Sequence, residues 1–243
     1  MIVKGGHATY GQDIGILMLD TKFPRLVGDI GNAHTFPFPV RYKVVKGASP
    51  RRVVEYGDIT LLKPFIEAAR QFEAEGVKAI TTSCGFLALF QQELSASVNI
   101  PVFSSSLLLL PFLYRIFGEK GIAGVLTARA ASLSERHFAA CGARQVPYAI
   151  GGMDDCQGFS NIFLEKGDPS KCPELDPSII EEEICSVAQD LVEDNPGIRF
   201  IVLECTNMPP FREAIANQIG KPIFDIVTLT KFVYSGLITD WRI

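Results

Sequence analysis

Gly76-Val77-Lys78-Ala79-Ile80-Thr81-Thr82-Ser83-Cys84 and Gly197-Ile198-Arg199-Phe200-Ile201-Val202-Leu203-Glu204-Cys205 read as copies of one another, 121 residues apart (205 − 84). In each, a glycine closes a helix-like segment, an apolar and a basic residue follow, and an apolar run of strand length ends in a cysteine. Open parallel sheets bind ligands beyond the carboxyl ends of their strands, so two facing repeats would aim two thiols into one cleft. Opposed thiols suit proton transfer on both faces of one carbon.

Outward from these stretches, strands and helices alternate. Ile14 to Leu19 predicts a first strand that ends at Asp20, and the Pro- and Gly-rich segment from Phe23 to Pro50 predicts a long binding loop or lid. Asp58 is placed to cap a helix running to Glu75, with Leu61, Leu62, Phe65, Ala68, Ala69 and Phe72 at helical spacing. After Cys84 the pattern predicts a helix over 86–96, a strand at 102–104, a helix over 107–117 and a strand over 122–126 ended by Thr127. Ser132 or Ser134 can cap a helix to Cys141, and Val146 to Ile150 is a weak strand. Gly151 to Pro177 reads as loop with an apolar patch at 159–164, followed by an amphipathic helix over 178–194. Pro209 and Pro210 open a helix after Cys205, a short strand follows at 222–224, and a last helix spans 226–237. Such alternation predicts an α/β chain with mostly parallel sheets.

The 243 residues are enough for two small domains, as the repeat suggests. Lys and Arg total 23 against 27 for Asp and Glu, a formal charge of −4 with no basic block, which argues against a nucleic-acid partner. The longest apolar run, Leu107 to Leu113, is far short of the roughly 20 residues that span a bilayer, so no membrane partner is expected. Met1 to Gln12 is polar and glycine-rich, unlike a secretory signal, and a cytoplasmic location is expected. The six cysteines (84, 141, 156, 172, 185, 205) form no CxxC pair, so neither zinc nor a disulfide framework is implied. The glycine pairs 5–6 and 151–152 match no nucleotide motif, and no cofactor is expected.

Cys84 and Cys205 stand apart from the other cysteines because a strand end that turns into a helix surrounds the sulfur with amide N–H groups that stabilise thiolate. Removing a proton beside a carboxylate also requires groups that hold the carboxylate and the developing charge. Ser83, Thr81, Thr82, Thr127, Thr206 and Asn207 are candidates, with Thr206 foremost, and Asp20 would meet a substrate ammonium. Glu204 neighbours Cys205, where it would tune the thiol or bind an amino group, yet strand alternation predicts that it points to the opposite face.

The two strand-end cysteines, Cys205 followed by Thr206, and Thr127 placed 43 residues after Cys84 (127 − 84) resemble the aspartate/glutamate racemase superfamily, which includes hydantoin racemases and works without pyridoxal phosphate. The resemblance covers most of the chain. It implies two pseudo-symmetric, flavodoxin-like α/β domains, each a mostly parallel sheet flanked by helices, with the active site between them. Residues 1–104 plus 222–243 would form the first domain, carrying Cys84, and residues 105–221 the second, carrying Cys205. Cys84 and Cys205 would be the paired acid and base, with Ser83, Gly85, Thr127, Thr206 and Asn207 holding a small carboxylate substrate. Gly85 and Phe86 stand where glutamate racemases carry Asn-Thr, and Asn207 where they carry His, which implies a more apolar substrate than glutamate.

The function expected is therefore a cofactor-independent racemase or epimerase of an amino acid, related α-carboxylate or hydantoin. The alternatives are a maleate-isomerase-like or decarboxylase-like enzyme of the same superfamily, a non-catalytic carboxylate-binding protein, and a cysteine hydrolase using His137 as base to Cys84. Nothing in the residues fixes the oligomeric state, and a homo-oligomer is compatible with the reading.

Overall fold

Two sheets of the same design organise residues 5–167, 170 and 172–237, the part of the chain that the computed structural model describes. The first contains β1 (Ile14–Met18), β2 (Val40–Val44), β3 (Ala79–Thr82) and β4 (Val102–Phe103), in the order β2-β1-β3-β4. The second contains β5 (Ile122–Thr127), β6 (Tyr148–Gly152), β7 (Ile198–Leu203) and β8 (Ile223–Phe224), in the order β6-β5-β7-β8. All pairings are parallel, and the copied stretches supply the equivalent strands β3 and β7. This is the α/β fold of two pseudo-symmetric halves that the repeat implied.

Helices α1 (Leu62–Ala74), α2 (Gln91–Ala96), α3 (Leu109–Ile116), α4 (Glu135–Ala140), α5 (Gln157–Phe163), α6 (Pro177–Asp194), α7 (Arg212–Ile219) and α8 (Ile226–Leu237) flank the sheets. β1 and β3 are buried along their whole length because helices cover both faces, which is why β1 reads as an unbroken apolar run; β3 buries Thr81 and Thr82, whose hydroxyls donate to the Phe103 and Ser104 carbonyls. The Phe72 ring of α1 occupies the space where a side chain on Gly15 of β1 would stand. Asp58 accepts the Thr60 N–H at 2.9 Å and caps the short turn that leads into α1. Gly76, at φ +85°, closes that helix in the left-handed conformation, whereas Gly197 has no positive φ and follows the Asn195 cap of α6 by two residues. The two glycines are thus alike in sequence but not in conformation.

Three expectations are corrected. The segment 23–50 is not loop throughout: Val40-Arg41-Tyr42-Lys43-Val44 alternates and forms edge strand β2, its polar residues tolerated by partial exposure. The apolar patch at 159–164 lies in α5. Residues 223–224 pair with β7 in the second sheet, so that strand does not belong with the first half; α8 does return there, packing on β3 and stacking Tyr234 on Phe38 at 3.5 Å between ring centres. No helix among the described residues is long and apolar enough to cross a membrane.

Candidate active site

Beyond the carboxyl ends of the two sheets lies a small cavity that opens to solvent. The first half contributes Leu19, Thr21, Phe23, Arg25, Pro50, Val54 and the run Ser83 to Phe86; the second contributes Ala128, Phe163, Leu164 and the run Glu204 to Asn207. Both strand-end thiols therefore face one space.

β3 stops at Thr82, and the chain turns into a short 3-10 helix that Cys84 caps. The Phe86 and Leu87 N–H groups act on the Cys84 sulfur, as the turn geometry requires. They favour thiolate, and so does Arg25, but burial and the charge of Glu204 outweigh them and hold the Cys84 thiol well above its ordinary range. Cys205 is held higher than usual by burial, then by Glu204, with Cys84 and Asp29 adding to the effect and the Asn207 N–H opposing it. Two amides and a cation favour the Cys84 thiolate, against one amide for Cys205.

Polar contacts tie the halves together under the cavity. Thr206 donates from Oγ1 to the Ser83 carbonyl at 2.7 Å and Asn207 donates from Nδ2 to Asp29 at 2.7 Å, while within the second half Ser106 donates to the Leu203 carbonyl at 2.7 Å. Ser83 Oγ accepts the Leu19 N–H at 2.8 Å and holds the tip of β1. The hydroxyls and amide expected to hold a carboxylate are thus engaged within the protein. Thr127 is not in the cavity wall; its hydroxyl donates to Glu204 Oε2 at 2.7 Å. Asp20 is exposed, accepts the Gly47 N–H at 3.0 Å and faces a separate open cleft, away from the thiols. His137 also lies outside the wall: Ser134 and its side chain form the cap of α4, and its ring meets Phe86 edge-on. Burial lowers its pKa to about 4, and the hydrolase alternative loses its base.

Three wall groups escaped the reading of the sequence. Arg25, only 14% exposed in its side chain, pairs with Asp29 at 2.7 Å and sits 4.6 Å from the Phe23 ring centre, bringing a cation to the cavity. Phe163 and Leu164 come from α5 and its end, inside the segment taken as loop. Glu204 shares the cavity with Cys205 because β7 ends at Leu203, so strand alternation no longer governs the residues beyond it. Its place as an acid between an apolar run and Cys205 was the available signal.

Two like α/β halves closing on a cavity, with a thiol at the tip of each copied strand, define the structural class. The Asp/Glu/Hydantoin racemase model matches residues 66–230, and the chain belongs to that family. It is 29% identical over 237 residues to a dimethylsulfoniopropionate lyase of Durusdinium sp. clade D, covering 94% of this chain and 76% of that protein. It is 30% identical over 236 residues to dimethylsulfoniopropionate lyase 7 of Emiliania huxleyi, covering 94% and 68%, and spans 61% of lyase 6 of the same organism. In fold it resembles allantoin racemase from Klebsiella pneumoniae (TM-score 0.61, 15% identity, covering 92% and 87%) and unliganded arylmalonate decarboxylase (TM-score 0.58, 12% identity, covering 94% and 93%).

Proposed function

We propose that this chain is a cofactor-independent lyase that removes the proton beside a carboxylate and expels a β-sulfonium group, with dimethylsulfoniopropionate as the substrate type. The observation that carries the reading is the cavity itself: two strand-end thiols, one cation at Arg25, and walls otherwise rich in Phe23, Phe86, Phe163, Leu19 and Leu164. Arg25 suits a carboxylate, while aromatic faces suit a methylated sulfonium, which attracts ring quadrupoles and needs no hydrogen-bond acceptor. The cationic substrate also adds a second positive charge, beside that of Arg25, to the surroundings of the buried thiols. A sulfonium beside Cys84 favours its thiolate, so the base is made where and when substrate is bound.

In this scheme Cys84, the better supported thiolate, takes the α-proton. The C–H pair becomes the new carbon–carbon double bond, the Cβ–S bond breaks, and neutral dimethyl sulfide and acrylate leave; the proton remains on Cys84 until water removes it. Cys205, on the opposing tip, stays a thiol and shields the other face. The similarity to lyases over 94% of the chain supports elimination over the racemisation expected from the paired thiols. Racemisation remains the second reading, supported by the presence of Cys205 where elimination needs a single base. The two halves also support a division into two domains between residues 104 and 105, with β8 assigned to the second. Headspace gas chromatography of the reduced protein with dimethylsulfoniopropionate tests the choice: dimethyl sulfide in stoichiometry with acrylate is expected, and α-proton exchange without either product would favour the racemase.

A further inference from the structure

Four acids among the described residues are buried: Asp13, Asp29, Asp225 and Glu204. Three are ion-paired, Asp13 with Lys78 at 2.9 Å, Asp29 with Arg25 at 2.7 Å and Asp225 with Arg212 at 3.8 Å. Glu204, 0% exposed, has no ion pair among the described residues, and the lyase scheme above gives it no task. Its Oε2 accepts the Thr127 hydroxyl, and its Oε1 is buried without a hydrogen-bond partner among the described residues. An ionised carboxylate in that position would be costly, and a carboxylic acid would not. With Thr127 donating to Oε2, the acidic proton falls to Oε1.

Oε1 lies above Gly85, in the place where a side chain on that residue would stand. The carboxyl head thus reaches from the strand tip that bears Cys205 to the turn that bears Cys84, and both Glu204 and Gly85 are among the residues that line the cavity. We propose that Glu204 is an O–H donor of this active site: Oε1–H hydrogen-bonds the substrate carboxylate and strengthens that bond as the α-proton leaves and negative charge gathers on the carboxylate oxygens. The inference rests on the reading that the site removes a proton beside a carboxylate. Glu204 keeps its proton throughout; the abstracted one goes to the thiolate. A neutral donor opposite Arg25 holds the carboxylate from two sides without repelling it or the thiolate, the logic of a carboxylic acid kept protonated in an oxyanion hole.

The charged and titratable groups around it agree with a neutral state. Cys84 and Cys205 each become harder to ionise when Glu204 is charged, and so does Cys141 after α4, raised to about 12 by burial and then by Glu204. Arg25 and Asp29, from the loop after β1, act on the thiols, and His137 of α4 meets Phe86 rather than the carboxyl. Burial raises Glu204 to about 8, with the Thr127 hydrogen bond opposing. Ionising it would remove the donor and suppress both thiolates, so activity should fall on the alkaline side.

Glu204→Gln places an amide N–H where the O–H stood and cannot ionise. It is expected to keep kcat within about tenfold of the parent and to lose the alkaline fall in kcat/KM, whereas Glu204→Leu is expected to lower kcat by about 10²- to 10³-fold, the loss of one oxyanion donor. Independently of turnover, infrared difference spectra at neutral pH should show a protonated carboxyl band that Glu204→Gln abolishes and that shifts when propionate is added. Full activity in Glu204→Leu, or the absence of a propionate-responsive carboxyl band from Glu204, would overturn the inference. A responsive band in a protein that releases no dimethyl sulfide would support the donor and contradict the lyase reading alone.

Discussion

Gly85 is where a single methyl group should do the most damage. A Cβ there would lie 2.7 Å from Glu204 Cδ, with the Glu204 carbonyl oxygen and Oε1 closer still. Carbon atoms rest about 3.5–4.0 Å apart, so something must yield by about 1 Å. The carbonyl cannot, because it belongs to a strand tip whose N–H is held by Leu126 at 2.8 Å; the carboxyl is buried and held by Thr127. The two halves must part. Overpacking of this kind costs about 1–3 kcal/mol, and a displacement of about 1 Å between groups that act together costs about 10²-fold in rate. The residue is not in a left-handed conformation, so the penalty comes from space alone. Urea unfolding of Gly85→Ala should show a lower midpoint with an unchanged slope, and kcat should fall about 10²-fold. A variant with the parent's midpoint and turnover would refute the close seating of Glu204 on this turn.

Arg25→Gln should raise KM by about 10- to 10²-fold with a smaller change in kcat, since a charge-assisted bond to a carboxylate is worth about 1.5–3 kcal/mol; unchanged KM in steady-state assays would remove Arg25 from the binding site. Thr206→Val breaks the 2.7 Å bond to the Ser83 carbonyl and leaves that carbonyl buried, so a loss of about 1–3 kcal/mol is expected in urea melts. His137, held at about 4 in the folded protein against an ordinary 6.5, binds a proton more readily when unfolded; it therefore contributes stability above pH 6.5, lost as pH falls towards 4, on the order of 3 kcal/mol. His137→Gln keeps a side chain suited to the helix cap and should flatten that acid limb in melts taken between pH 4 and 7.

The α/β order, the parallel sheets and the copied strands were legible because central strands buried on both faces leave apolar runs, as in Phe200 to Leu203. β2 was not, because its five residues lie in a stretch dominated by Pro and Gly and its basic residues fit a half-exposed edge. Cys84 and Cys205 could be located from strand ends, which are local signals. Arg25 could not, since its place in the wall depends on how the loop after β1 folds over Asp29, a contact between side chains that no periodicity records. Thr127 illustrates the opposite error: its position at a strand end was read correctly, but its hydroxyl is engaged by Glu204. Asp20 follows the end of β1 at Met18 by two residues and is not part of the cavity wall, as short-range pattern does not fix the direction of a side chain beyond the strand.

The central claim is that a strand-end thiolate removes a proton beside a carboxylate to release a β-sulfonium group. Cys84→Ser and Cys205→Ser, assayed with the parent in D2O by NMR for α-deuteration of dimethylsulfoniopropionate and for acrylate, test it most directly. The account predicts acrylate from the parent, loss of both acrylate and exchange in Cys84→Ser, and residual elimination in Cys205→Ser. Acrylate formed at the parent's rate by Cys84→Ser would contradict it.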